Sequence, residues 1–327
     1  MANHMKKVLA SGEYTLEKKV ADGTFGSVHK GWRVCALKSI ALDKLQGNDQ
    51  KNKVQMWIDE SVSLLTLRGH PRIVEYNKFF GSDDNKKLWI ESEYCEGGTL
   101  NKYFWKTMYQ KQCKDVKHRF MVEIADALAF LHNRGVTHRD MKPDNIMVVD
   151  GSTPGEAHIK LSDFGLAKLI ASCKYGGELM KFYSASGNGT KYYMAPELYD
   201  QHFTRTGDIF SMGLIFNALL QGSSLSSKLF LVVKVHGGPP GKWAHENNES
   251  VEIPENIAAC LSDTFKQLLK SMLSREWQTR PSAETVHGTL LETTHKDLSI
   301  NSSGGSSSGG SRPSSVHEEQ ELDNGNH

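Results

Sequence analysis

The middle of the 327-residue chain carries side chains suited to phosphate chemistry. Asp140, Lys142 and Asn145 fall within Val136-Thr137-His138-Arg139-Asp140-Met141-Lys142-Pro143-Asp144-Asn145. Asp163 follows across two short apolar runs, Ile146-Met147-Val148-Val149 and His158-Ile159-Lys160-Leu161, which a Gly/Pro turn joins. The runs read as paired strands, and this sets Asp140, Asn145 and Asp163 at their mouths. Three side-chain oxygen ligands there suit a nucleoside triphosphate with its magnesium ions. Magnesium is a hard cation that takes oxygen ligands and shares them with substrate phosphates.

Composition narrows the class. Basic and acidic residues balance, 39 against 38, so neither a nucleic acid nor a membrane is expected as partner. A hydrophobic content of 38%, with 9% aromatic residues, is ample for a packed core. The five cysteines, Cys35, Cys95, Cys113, Cys173 and Cys260, are scattered, with no CxxC spacing and no Cys/His cluster. That pattern indicates neither a disulfide framework nor a zinc site. It suits a reducing compartment, cytoplasmic and/or nuclear. Met1 to Lys7 lacks the apolar core of a signal peptide, and no apolar run approaches transmembrane length.

The elements that must position these residues show in the hydrophobic periodicity. Tyr14 to Val20 reads as a strand running into Ala21-Asp22-Gly23-Thr24-Phe25-Gly26-Ser27-Val28, and Val34-Cys35-Ala36-Leu37-Lys38 as a second. Val54, Trp57, Ile58, Val62 and Leu65 recur at helical spacing. Leu88 to Tyr94 alternates and then turns at Glu96-Gly97-Gly98. Leu100 to Met108 and Val116 to Asn133 read as helices, the second with Phe120, Ile124, Leu128 and Leu131 on a core face. From Asn301 the chain turns Ser/Gly-rich and then acidic, a composition that cannot bury apolar surface and is expected to be disordered. It reads as a plain solvated tail or as a docking and phosphorylation segment.

The HRDxKxxN run at 138–145 and Asp163-Phe164-Gly165 resemble the motifs of eukaryotic protein kinases of the Ser/Thr type, and the likeness extends over residues 14–294. It implies an α+β, two-lobed protein kinase fold. A small β-rich N-lobe with one main helix spans about 14–94, a larger, mostly helical C-lobe about 95–294, and a disordered tail 295–327. The glycine-rich pattern keeps Gly23, Gly26 and Val28 but has Ala21 in place of its first glycine. Glycines there let backbone approach phosphates where a side chain would block it. By the resemblance, Val20, Ala21, Gly23, Phe25, Gly26, Val28 and Ala36 enclose ATP, and Lys38 holds its α- and β-phosphates. Glu60 is the expected partner of Lys38, with Asp59 and Glu91 as alternatives. Ser92, Glu93 and Cys95 line the adenine, the last two through backbone groups. Asn145 and Asp163 hold Mg2+. Asp140 orients the substrate hydroxyl and accepts its proton, while Lys142 contacts the γ-phosphate. Arg280 is expected to pair with Glu197, and the helix containing Asp208 to Gly213 to brace the catalytic loop, with Phe210 where tryptophan is commoner.

The resemblance thus implies transfer of the γ-phosphate of Mg-ATP to serine and threonine hydroxyls of protein substrates, with Lys142 and Thr190 both leaning to the Ser/Thr class. The segment between Asp163-Phe164-Gly165 and Ala195-Pro196-Glu197 is long and polar. Ser186, with Ser184 as runner-up, is the expected activating phosphosite, filled by an upstream kinase or by a second copy in trans, with Arg139 receiving the phosphate. The alternative is a pseudokinase acting as a nucleotide-binding scaffold. Ala21 and the short connection from Val28 to Ala36 suggest it, whereas Lys38, Glu60, Asp140, Asn145 and Asp163 are all present. Tyr192 to Glu197 and Asp208 to Ser211 are reminiscent of a small group of nuclear, actin-associated Ser/Thr kinases. Ser92 stands where related kinases carry a larger residue, so the space behind the adenine is expected to be open. A slip of one residue would turn Glu91 inward instead.

Overall fold

The computed structural model describes residues 7–8, 15–23, 26–31, 35–41, 67–81, 87–104, 114–149, 155–163, 190–221 and 238–298, with the backbone alone up to residue 31, at 40–41 and at 87–88. The expected N-lobe helix with Glu60, the positions Phe25, Ser184 and Ser186, and the tail from residue 299 lie outside the described residues, while His295–Leu298, expected to begin the disordered tail, form a short 3-10 turn with Leu298 buried in the core.

Among the described residues, six strands form the N-lobe sheet: β1 (Lys7–Val8), β2 (Thr15–Gly23), β3 (Gly26–Gly31), β4 (Cys35–Ala41), β5 (Tyr76–Gly81) and β6 (Lys87–Glu93). They lie in the order β1-β2-β3-β4-β6-β5, every pair antiparallel. The β4–β6 register sets Ala36 opposite Ser92 and Lys38 opposite Ile90. Strand side chains alternate between faces, so these four share one side of the sheet. Ile90 there joins the main hydrophobic core. The opposite side is covered too. Trp89 packs with Cys35, Leu37 and Phe80 in a second, smaller cluster, and Phe80 stacks on Trp89 at 6.5 Å.

Glu91 lies on that second face and is buried, with Asn77 Nδ2 donating to its carboxylate at 3.3 Å. The alternation therefore runs in the expected register, with Ile90 and Ser92 toward the core. Burial of a carboxylate on the far face is tolerated because it has a hydrogen-bond donor. Strand β5 was not marked in the sequence. It enters opposite Ser92 at Tyr76, with a bulge between Tyr76 and Lys78.

Among the described residues, the C-lobe has two long helices at its centre. In α2 (Lys114–Asn133), after the short α1 (Leu100–Tyr103), the buried face contains Phe120, Ile124, Leu128 and Leu131, all fully buried. Each contributes roughly 1.5–3 kcal/mol by leaving water. Helix α3 (Thr206–Gln221) is buried nearly all round, as expected for a helix apolar on every side. Helix α4 (Pro240–Asn247) packs on the 3-10 turn Pro196–Asp200, α5 (Glu255–Ala258) follows, and α6 (Asp263–Met272) packs on α3 and α7 (Ala283–Glu292) on α2. Ser262 and Ser282 cap α6 and α7 by accepting from Phe265 N–H and Thr285 N–H. Arg280 reaches back to Glu197 in a bidentate pair, Nη1–Oε1 2.7 Å and Nη2–Oε2 2.8 Å, with both side chains buried.

A three-stranded sheet of β7 (Gly98–Thr99), β8 (Ile146–Val149) and β9 (His158–Leu161) lies where the lobes meet. The strands β8 and β9 coincide with the two apolar runs flanking the Gly/Pro turn. The connecting hinge requires its glycines. A Cβ on Gly97 would stand 2.7 Å from the Val148 carbonyl oxygen, and Gly98 has φ +71°. The lobes are laced further by Val74 N–H to Leu161 C=O at 2.9 Å and Leu161 N–H to Arg72 C=O at 2.8 Å. Lys160 on β9 donates to both carboxylate oxygens of the hinge residue Glu93, at 2.6 and 2.8 Å.

Candidate active site

The catalytic loop hangs from one carboxylate. Asp208, buried in the first turn of α3, accepts from the backbone N–H groups of His138 (2.8 Å) and Arg139 (2.7 Å) and contacts His132 Nε2 at 2.9 Å. An ionised carboxylate only accepts, so it suits three converging donors. Arg139 needs this hold, because its φ of 65° lies in the left-handed region. That conformation costs a residue bearing a side chain about 1–2 kcal/mol. His138 is buried beneath the loop. Its Nδ1 faces Asp140 N–H at 3.3 Å and its Nε2 the Ser162 carbonyl at 3.1 Å, so a ring carrying its proton on Nε2 satisfies both.

Asp140 follows directly and is buried. Its Oδ2 accepts from Lys142 Nζ at 2.7 Å and from Asn145 Nδ2 at 2.9 Å, while Asn145 Nδ2 also donates to the Asp140 carbonyl at 2.8 Å. Burial pushes the Asp140 carboxyl above its ordinary value, and the adjacent Lys142 ammonium only partly opposes this. Lys142 also donates to the Thr190 hydroxyl at 2.9 Å, tying the catalytic loop to the segment ahead of Ala195-Pro196-Glu197. Both Asn145 donors are turned on Asp140, so its carboxamide oxygen is the atom suited to a cation.

Asp163 lies across the cleft at the end of β9, with φ 62°. Its carboxylate pairs with the Lys38 ammonium from β4. Desolvation alone would raise the Asp163 carboxyl, but Lys38, seconded by Lys142, outweighs it and holds the group below its ordinary value. An ionised carboxylate and a carboxamide oxygen fit a hard divalent cation that takes its other ligands from phosphates. The expected Lys38–Glu60 pair lies outside the described residues, and Asp163 is a partner of Lys38 within them. The backbone around Asp163 is pinned as well. Ser162 N–H and Ser162 Oγ both donate to the Asn145 carbonyl, at 2.9 and 3.0 Å, and Asp163 N–H donates to the Tyr76 hydroxyl at 3.0 Å.

At the adenine end, Ala36 and Ser92 face one another across β4 and β6. Cys95 is buried in the hinge, its thiol pushed up to about 12 by desolvation and then by nearby Glu93. Glu93 N–H donates to Glu75 C=O at 2.9 Å, and Cys95 C=O accepts from Gly98 N–H at 3.1 Å. In the glycine-rich hairpin, Ala21 pairs with Val28 and Gly23 with Gly26, the register of a tight turn; Val20 lies in β2, just before Ala21. Sequence reasoning passed over Tyr76 and His132, and it gave α3 a bracing role without singling out the Asp208 carboxylate. Nothing local distinguishes these residues, whose partners lie 87, 76 and 70 positions away.

An antiparallel sheet thus lies over a helical lobe, with a lysine, two aspartates and an asparagine gathered in the cleft between them. Residues 14–289 match the protein kinase domain, and the chain belongs to the protein kinase family. It is similar to the serine/threonine-protein kinase atg1 of Dictyostelium discoideum, 27% identical over 302 residues that cover 91% of this chain and 40% of that protein. The human serine/threonine-protein kinase ULK3 is 29% identical over 273 residues, covering 80% of this chain and 51% of that protein. The CBL-interacting serine/threonine-protein kinase 10 of Arabidopsis thaliana is 29% identical over 221 residues, 66% of this chain and 43% of that protein. The chain spans about half, or less, of the length of these relatives.

Proposed function

We propose that the chain is a protein serine/threonine kinase that transfers the γ-phosphate of Mg-ATP to hydroxyls of protein substrates. The observation that carries this reading is the convergence of Lys38, Asp140, Lys142, Asn145 and Asp163 on one cleft with their polar atoms mutually engaged. Bound Mg-ATP supplies the phosphoryl group and the charge that neutralises it. The protein's own work is positioning and electrostatics. Asn145 and Asp163 hold the metal through oxygen, and Lys38 contacts the α- and β-phosphates. The N–H of Cys95 and the C=O of Glu93 meet the adenine edge. With Asp140 Oδ2 held by Lys142 and Asn145, its Oδ1 takes up the proton of the incoming hydroxyl, and burial, which makes this carboxylate more basic, suits it to that task. Lys142, already bridging Asp140 and Thr190, lies ready to hold the transferred phosphoryl group. A phosphate on Ser186, added by an upstream kinase or by a second copy, would be paired by Arg139.

A radiolabelled γ-phosphate transfer assay on a generic protein substrate tests this reading against that of a nucleotide-binding scaffold. Asp163→Ala should abolish magnesium-dependent nucleotide binding, whereas Asp140→Ala should keep binding and lose at least about 100-fold in turnover. Near-normal turnover of Asp140→Ala would refute the assignment. Nucleotide binding without transfer by the unmodified protein would favour the scaffold.

A further inference from the structure

Tyr76 sits at the entry of β5, outside every motif the sequence singled out, and is buried in the main core. Its cross-strand neighbour on β6 is Ser92, which in turn faces Ala36 on β4. All three therefore share the sheet face that carries Lys38. From there the Tyr76 side chain crosses to the other lobe, and its hydroxyl oxygen accepts the Asp163 N–H at 3.0 Å. The space expected to be open behind Ser92 is thus bordered by a tyrosine ring reaching for Asp163.

Asp163 is a demanding residue to hold. Its left-handed φ of 62° carries an intrinsic cost, and its N–H lies beyond the last ladder pair of β9, Ile146 with Leu161. The preceding residue is fixed on both sides, by Ser162 N–H to Asn145 C=O at 2.9 Å and by His138 Nε2 against Ser162 C=O at 3.1 Å. Tyr76 fixes the next peptide. With it, the backbone bearing one metal-binding side chain is tied to the N-lobe sheet and, through Asn145, to the other. A residue larger than serine at position 92 would compete with the ring for its place.

We propose that Tyr76 is a positioning residue for Asp163. Its hydroxyl clamps the Asp163 backbone so that the carboxylate points at Lys38 and the metal site, and Ser92 is small so that the tyrosine can lie there. The inference rests on the kinase reading and deepens it. Tyr76 acts through Asp163, so its loss is read in magnesium dependence.

The experiment is calorimetric titration of ADP into the full chain, with Mg2+ and again with EDTA. Tyr76→Phe, which keeps the ring, should bind Mg-ADP about 3- to 10-fold more weakly, as loss of one buried hydrogen bond implies, and bind metal-free ADP as before. Hydrogen exchange provides a second measurement that needs no variant. The Asp163 amide of the unmodified protein should exchange at least about tenfold more slowly than an open-chain amide. In Tyr76→Phe that protection should fall, and the melting temperature records whether the fold survives. A Tyr76→Phe protein with unchanged Mg-ADP affinity, or an Asp163 amide exchanging at the open-chain rate, overturns the proposal while leaving the kinase reading intact. Equal weakening with and without Mg2+ also overturns it, since that is loss of the pocket as a whole. Absence of magnesium-dependent nucleotide binding by the unmodified protein overturns the functional reading together with this proposal.

Discussion

Replacing Asp208 by asparagine changes one atom's chemistry and should weaken the catalytic loop more than any exposed substitution could. The carboxylate is buried and engages donors on both oxygens, Oδ1 with Arg139 N–H and Oδ2 with His138 N–H and His132 Nε2. The carboxamide keeps its single acceptor best on the two-donor side. Its NH2 group then faces Arg139 N–H, donor against donor. The loss is one charge-assisted hydrogen bond, roughly 1.5–3 kcal/mol, plus the penalty of an unsatisfied buried N–H, about 1–3 kcal/mol. Part returns when Arg139 leaves its left-handed conformation, worth about 1–2 kcal/mol. A net destabilisation of about 3 kcal/mol remains, within a span of about 0.5–5 kcal/mol, a large share of the ~5–15 kcal/mol that holds a typical domain folded. The same relaxation swings Asp140 away from Lys142 and Asn145, so turnover should fall further than stability alone explains. Urea denaturation followed by tryptophan fluorescence measures the first effect, and the transfer assay at a temperature where both proteins are folded measures the second. An Asp208→Asn protein within about 0.5 kcal/mol of the parent, with normal turnover, would refute the view that this carboxylate holds the loop.

Two further outcomes follow from the charged groups. Arg280→Leu leaves Glu197 buried without its bidentate partner, so it should cost about 3–5 kcal/mol in denaturant titrations; a change below about 1 kcal/mol would contradict the pairing. Asp140 has a folded-state pKa raised above the unfolded value, because burial outweighs Lys142, so its ionisation opposes folding. That cost is absent below the unfolded value of 3.8 and grows as pH rises from there through the raised folded value. Asp140→Asn should therefore melt higher than the parent at pH 7, with the gap closing toward pH 3.8; an equal or lower melting temperature at pH 7 would contradict it.

What could be read from residue order is what local physics decides. Strands β8 and β9 appear where two apolar runs flank a turn, and α2 buries the face that its 3.6-residue period marks out, because each depends on neighbours within a few positions. The ordered motifs likewise marked out Asp140, Lys142, Asn145, Asp163 and Lys38, which the fold brings to one cleft. Glu197 and Arg280 could be paired in advance only through the family likeness. The tertiary structure decided the rest. Asp208 became the anchor of the catalytic loop because α3 packs beneath it, and Glu91 could be buried because β5 brought Asn77 alongside. Tyr76 came to share a face with Ser92 and to reach Asp163 because β5 closes the sheet beside β6 while β9 ends across the cleft. A phenol, a carboxylate and a serine carry no mark of such roles in the sequence. Their meaning comes from partners that only the closed fold brings within hydrogen-bonding distance.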